Sequence, residues 1–153
     1  MSRRAEIVLT DGEIAELLDE QRTLICATIG RDGWPHLMPL WYVVRDGECW
    51  AWTYAKSQKV RNLERDARCT VQVETGERYD EMRGVMFKCE CALVRDLDAV
   101  TEIGAEILAR YGGASLPDEA RAAMRKQAAK RVGLHFVVRD VASWDHRKLG
   151  GGY

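Results

Sequence analysis

Three stretches of this chain, "CWAWTY" (49–54), "CTVQVET" (69–75) and "VMFKCECALV" (85–94), alternate side chains with a period of two. That period belongs to extended backbone, where successive side chains point to opposite faces of a sheet. Trp50, Trp52 and Tyr54 therefore share one face of the first stretch, with Cys49, Ala51 and Thr53 on the other. In the second, Cys69, Val71 and Val73 point inward and Thr70, Gln72 and Glu74 outward; in the third, Phe87, Cys89, Cys91 and Leu93 oppose Lys88 and Glu90. Each of these strands has one face to bury and one to show to water or to a helix. "TLICATIG" (23–30), "PHLMPLWYVV" (35–44) and "LHFVVRDVASW" (134–144) complete a set of six expected strands. "RDG" at 31–33 and "RDGE" at 45–48 supply tight turns between early neighbours, so the pairing is expected to be mostly antiparallel. Pro39 cannot donate to a ladder, which places the second strand at an edge or a bulge.

Helical periodicity appears in four places. "DGEIAELLDEQ" puts Ile14, Leu17 and Leu18 on one face behind Thr10 or Asp11 as cap. A short helix is expected over 57–66. A third runs over 97–111 with Val100, Ile103, Ile107 and Tyr111 on a stripe ended by Gly112–Gly113, and a fourth from near Pro117 to about Arg131. Six strands of this kind can close into a small barrel that hides its edges, so the fold class is α+β, a barrel with peripheral helices. With 153 residues, one domain over 1–145 and a short tail over 146–153 are expected.

The formal net charge of −1 gives no global field to recruit nucleic acid or an anionic membrane. Charge is nonetheless uneven. Residues 56–68 hold five basic side chains against Glu64 and Asp66, and 121–131 hold five with no acid. Aromatic residues are not interleaved with the second cluster, which argues against single-stranded nucleic acid. No segment has the apolar length of a membrane span, and the N-terminal residues lack the apolar core of a signal peptide, so a cytoplasmic protein is expected. Cys26, Cys49, Cys69, Cys89 and Cys91 contain no CxxC pair and read as buried free thiols in a reducing compartment. The three histidines (His36, His135, His146) have no partner at zinc-like spacing, and no metal is expected. Dinucleotide, P-loop, serine-hydrolase and zincin motifs are absent.

The segment "YAKSQKVRNLERD" (54–66) is the exception to this blandness. Ser57 is a natural N-cap, which puts Lys59 at the second helical position and Arg61 close behind. Cations there face the positive end of the helix dipole and cost roughly 0.3–1 kcal/mol each. Free N–H groups, a hydroxyl and two cations together make a phosphate site. The alternative is a solvated basic face with Arg61 paired to Glu64 at i,i+3. The aromatic strand feeding this corner suits a ring compound with a phosphate arm, or simply a packed core. Both pairs of readings stay open on the residues alone.

"GWPHLMPLWYV", "CWAWTYAKSQKVRNLERDARCTVQVE" and "RGVMFKCECALVRD" together resemble the pyridoxamine 5′-phosphate oxidase-like superfamily, in particular its flavin/deazaflavin-dependent oxidoreductase branch. The resemblance covers about residues 11–145. Its most specific element is S-x-K-x-x-N-L, formed by Ser57, Lys59, Asn62 and Leu63. It implies an FMN-binding split β-barrel and a homodimer with cofactors in clefts between subunits. Ser57, Lys59 and Arg61 are implied as phosphate ligands and Asn62 as part of the same element. Pro39, Leu40 and Trp41 would flank the ring, with Trp52, Thr53 and Tyr54 beside it. The C-terminal arginine motif of true pyridoxamine phosphate oxidases has no equivalent in "SWDHRKLGGGY", so vitamin B6 oxidation is not expected.

The resemblance implies a bound deazaflavin coenzyme F-420, with FMN as the close second, and hydride transfer to a small flat organic substrate. The cofactor carries that chemistry, which accounts for the missing acid–base motif. Tyr42, Tyr79 and His36 are candidate proton donors. Cations of the 121–131 stretch, Arg65 or Arg68 would suit a polyanionic cofactor tail, and Asp145, His146, Arg147 and Lys148 could fold over a cleft. The rival class is a protein of the same fold that binds flavin, deazaflavin or haem for storage or sensing without turnover.

Overall fold

The computed structural model describes residues 3–113 and 117–150. In chain order the elements are α1 (Arg3–Glu6), α2 (Asp11–Glu20), β1 (Leu24–Ile29), β2 (Pro35–Leu40), β3 (Val43–Arg45), β4 (Glu48–Tyr54), α3 (Gln58–Arg65), β5 (Arg68–Thr75), β6 (Arg83–Val94), α4 (Leu97–Gly112), α5 (Asp118–Ala128) and β7 (Arg131–Asp145). Single 3-10 turns follow β5 (Tyr79–Glu81) and β7 (His146–Leu149).

All strand pairs are antiparallel, in one curled sheet of order β2-β1-β5-β6-β7-β4-β3. This is the α+β barrel architecture the alternating runs require, with two adjustments. The expected strand 35–44 is two strands, because the backbone breaks at Trp41–Tyr42 and β3 leaves to pair with β4 at the far end of the sheet. Among the described residues the count is therefore seven strands, not six. The last expected helix stops at Ala128, and Arg131 instead opens β7. Pro39 lies in β2, the edge strand, where its missing N–H removes no ladder bond on the open side.

Inward positions of β1, β4, β5, β6 and β7 fill the barrel: Leu24, Cys26, Cys49, Ala51, Cys69, Val71, Val73, Val85, Phe87, Cys89, Leu134 and Phe136 are all buried. The five cysteines are free thiols within this core or at its margin. β6 and β7 are long enough to bend, and they bend at a bulge. Lys88 pairs with Asp140 and Cys89 with Val138, leaving Arg139 as the extra residue.

The opposite face of β4 meets α4. Val43, Ile103 and Ile107 form a second small core with Trp50, Trp52 and Tyr111 packed on it. Gly104 makes this possible. A Cβ there would stand 2.4 Å from the Trp52 ring, so only glycine lets α4 come this close. The capping box between Thr10 and Glu13 starts α2, whose Leu17 and Leu18 are buried.

Candidate functional site

β4 and α3 meet at the corner singled out in the sequence. Ser57 is the N-cap of α3 and Lys59 its second residue, as the spacing predicts. The Ser57 hydroxyl makes no capping bond; Oγ is buried without a hydrogen-bond partner. No acidic residue occupies the first turn. The leading N–H groups of any helix lack an intrahelical acceptor, so this corner presents donors and no intrinsic anion.

Lys59 is the unexpected feature. It is only 7% exposed, and Nζ donates to Thr53 Oγ1 at 3.1 Å. Burial pulls its pKa below the usual lysine value, and the nearby Cys26 thiol acts in the other direction. Lys59 shares the inward face of α3 with Val60 and Leu63, which are also buried. That helical spacing, i to i+4 with Leu63, is a legible signal that the amine does not simply wave in solvent.

Asn62 is fully buried. Its Nδ2 donates to Thr28 Oγ1 at 3.0 Å, and its Oδ1 accepts from Gln58 at 2.9 Å. It fastens α3 to β1. Arg61 is exposed, and its side chain makes no hydrogen bond or ion pair among the described residues. The Arg61–Glu64 pair weighed in the sequence does not form, since Glu64 binds Arg95 instead. Arg68 is held by Asp66, and Arg65 reaches the Ile29 carbonyl. In the second basic cluster, Arg121 and Arg125 pair with Glu102 and Asp98 of α4, so both are surface struts.

β1 carries the corner across to β2. Cys26 is opposite Met38, Thr28 opposite His36, Ile25 opposite Pro39 and Leu24 opposite Leu40. His36 is half-buried, with Nδ1 buried and unpartnered. Hence His36, Pro39 and Leu40 lie on the strand that borders the β1 side of the Ser57–Lys59 corner. Trp41 extends beyond β2 and stacks on Tyr111, with ring centroids 4.4 Å apart and planes 8° apart.

The β4 aromatics divide differently from a flat wall. Thr53 faces inward to Lys59, whereas Trp52 lies under α4 on the other face. Trp50 is stacked between His135 and the Arg45 guanidinium. Tyr54, at the exposed end, shares the Arg131 guanidinium with Trp52, 4.3 and 4.5 Å from the two rings. Arg131 is a residue the sequence reading assigned to a basic helix. The inward alternation of Val132 and Leu134 is the signal that it starts a strand beside Tyr54.

Of the proton-donor candidates, Tyr42 is fully buried, and its hydroxyl already donates to the Leu18 and Gln21 carbonyls at 2.7 and 3.1 Å. Burial pushes its pKa up to about 12. Tyr79 sits in an exposed 3-10 turn, tilted against His146. The tail through Gly150 folds on its own chain: Lys148 Nζ reaches the Val8 carbonyl and Glu13, and Arg147 binds Asp145. Residues 151–153 of that tail lie outside the described residues. A separate cleft of about 1030 Å³, lined by Ile14, Leu18, Val44, Phe87, Val138 and Val141 among others, contains none of the predicted ligands. Among the described residues no cluster of His, Cys, Asp or Glu is placed to hold a metal, and no helix is long and apolar enough to cross a membrane.

Residues 10–146 match the pyridoxamine 5′-phosphate oxidase family. The chain belongs to that family. Among solved structures, a conserved hypothetical protein from Mycobacterium tuberculosis, Rv2991, is 44% identical with a TM-score of 0.90, over 98% of this chain and 93% of that one. An F420 reductase is 20% identical with a TM-score of 0.61, over 82% and 93%. The haem storage protein HutZ from Vibrio cholerae is 18% identical with a TM-score of 0.67, over 85% and 91%. No curated protein matches. At such low identity the last two likenesses speak for the split-barrel fold alone.

Proposed function

We propose that the protein is a flavin- or deazaflavin-dependent oxidoreductase whose cofactor phosphate is held at the start of α3. The observation that carries this is the pairing of a buried, unpartnered Ser57 hydroxyl with the buried Lys59 amine in a helix turn that contains no acid. A phosphate fits that donor set: it would accept from Ser57, Lys59 and the leading N–H groups, with the free Arg61 guanidinium completing it. Charge-assisted bonds contribute about 1.5–3 kcal/mol each, enough in sum for firm binding. The bound group supplies hydride transfer. The chain's residues position it: Asn62 fixes α3 on β1, β2 with Pro39 and Leu40 borders the ring, and Trp41, braced on Tyr111, stands at its end.

Deazaflavin coenzyme F-420 is the first choice and FMN the second. Arg131, clamped by Trp52 and Tyr54, adds a cation near the corner that favours the more anionic coenzyme. Tyr42 is committed to two carbonyls, so His36 is the proton carrier best placed for a substrate stacked on the ring. The same observation supports the binding-only reading, storage or sensing of flavin, deazaflavin or haem, because little acid–base equipment remains. We also propose a homodimer. Edge strand β2 and its flanks expose Trp34 (74%), Leu37 (56%), Met38 (41%) and Trp41 (55%), large apolar side chains that a partner strand or subunit would cover.

The test begins with the absorption spectrum of purified protein and separate titrations of FMN and the deazaflavin. Anaerobic reduction follows, with a panel of quinones, enones and tetrapyrroles. Turnover with any of these supports the oxidoreductase; tight binding without turnover supports the binding protein. Unchanged affinity in Ser57→Ala/Lys59→Ala removes the phosphate assignment.

A further inference from the structure

The amine of Lys59 is buried without a counter-ion. Its one hydrogen-bond partner is the neutral Thr53 hydroxyl of β4. On α3 itself the only carboxylate, Glu64, is held by Arg95 on the exposed side. β1 offers the Cys26 thiol, only 1% exposed, and beyond it stand Cys69 of β5 and Cys89 and Cys91 of β6. His36 of β2 lies across from Thr28, and Arg65 at the end of α3 points to the β1 carbonyl of Ile29. No Asp or Glu lies within salt-bridge distance of Nζ among the described residues.

An isolated ammonium in a protein interior costs several kcal/mol, and such sites relieve the cost by moving a proton. Here that relief is a neutral amine held by Thr53, one proton poorer than the ammonium.

We propose that the Lys59 amine is neutral in the ligand-free protein and that a phosphate entering the corner is accompanied by uptake of one proton at Nζ. The inference rests on the phosphate site proposed above. The balance is simple: the proton comes from the buffer and forms an N–H bond at Nζ. The phosphate anion then faces a full ammonium. Binding that takes up a proton weakens as pH rises, by tenfold per unit where uptake is complete. Above about pH 7 the phosphomonoester of FMN is already a dianion, since its second pKa is near 6, and the phosphodiester of the deazaflavin has no second ionisation, so neither adds such a slope.

The experiment is calorimetric titration of FMN and, in parallel, the 8-hydroxy-5-deazaflavin coenzyme, at pH 7.5 and 9.5, in phosphate-free buffers of low and high ionisation enthalpy. For the wild type and for Cys26→Ser the observed heat should depend on the buffer, reporting uptake of up to one proton per site. Lys59→Arg, whose guanidinium stays charged throughout, should bind with buffer-independent heat. Lys59→Met checks the site separately and should lose about 100-fold in affinity. Buffer-independent heats in the wild type, with affinity still lost in Lys59→Met, overturn the proton coupling and leave the phosphate site standing. Wild-type affinity in Lys59→Met, or no binding of either coenzyme, overturns both.

Discussion

Two cations are drawn into this small barrel, and they are treated in opposite ways. Arg110, near the end of α4, gives its guanidinium to the carbonyls of Leu18, Asp19, Gln21 and Tyr42 and lies over the Tyr42 and Tyr111 rings. Tyr42 and Tyr111 bond the same carbonyl cluster, so the end of α2, the β2–β3 break and α4 are tied at one point. Both terminal nitrogens of that guanidinium have acceptors. Lys59 is more deeply buried and has a single hydroxyl for company. A saturated cation does structural service; one left short of partners is kept for something that arrives later.

Substitutions should separate the two. Arg110→Met removes charge-assisted bonds to carbonyls of three segments, at about 1.5–3 kcal/mol apiece, and should cost about 4 kcal/mol in all. Thermal unfolding should drop by about 12 °C, with coenzyme affinity unchanged within twofold. Lys59→Met should show the reverse pattern. Replacing a buried amine that has a single hydroxyl partner by an apolar chain of similar length should leave stability equal or raise it by about 1 kcal/mol. Coenzyme affinity should fall about 100-fold, equivalent to roughly 3 kcal/mol of lost charge-assisted bonding. A fall in melting temperature like that of Arg110→Met would show that Lys59 is a strut too.

Tyr42→Phe tests the clasp more gently, at about 1–2 kcal/mol of stability and no change in cofactor reduction rate. It also has a pH signature. The folded pKa is raised to about 12 from an ordinary 10.0, so the phenol's contribution is complete below pH 10 and is lost as pH rises through 12. Alkaline unfolding of wild type should therefore steepen across that window, and the phenylalanine variant should be flatter. The smallest effect is expected from Ser57→Ala: about fivefold in affinity, or roughly 1 kcal/mol, with no loss of stability because its hydroxyl bonds nothing in the fold.

Much of the sheet was legible from alternation. Inward cysteines and valines of β5 and β6 fall where the pattern puts them, because a one-residue slip would turn every side chain to the wrong face. The break at Trp41–Tyr42 was not legible. It depends on Tyr42 leaving the strand to bond carbonyls of α2, a contact across 24 residues of sequence. The phosphate corner was partly legible. The N-cap position of Ser57 and the absence of acids follow from local rules, but the burial of Lys59 depends on Thr53 and on the face α3 turns to β1. Arg131 was misplaced because helix α5 stops three residues short of it, and the aromatic clamp exists only once β4 and β7 are paired.

The most direct measurement is a crystal structure of the protein with saturating coenzyme, FMN and the deazaflavin each in turn. The account predicts phosphate oxygens within hydrogen-bond distance of Ser57 Oγ and Lys59 Nζ, with the ring system lying along β2. A coenzyme bound in the cleft between α2 and β7 with solvent at the start of α3 would contradict it.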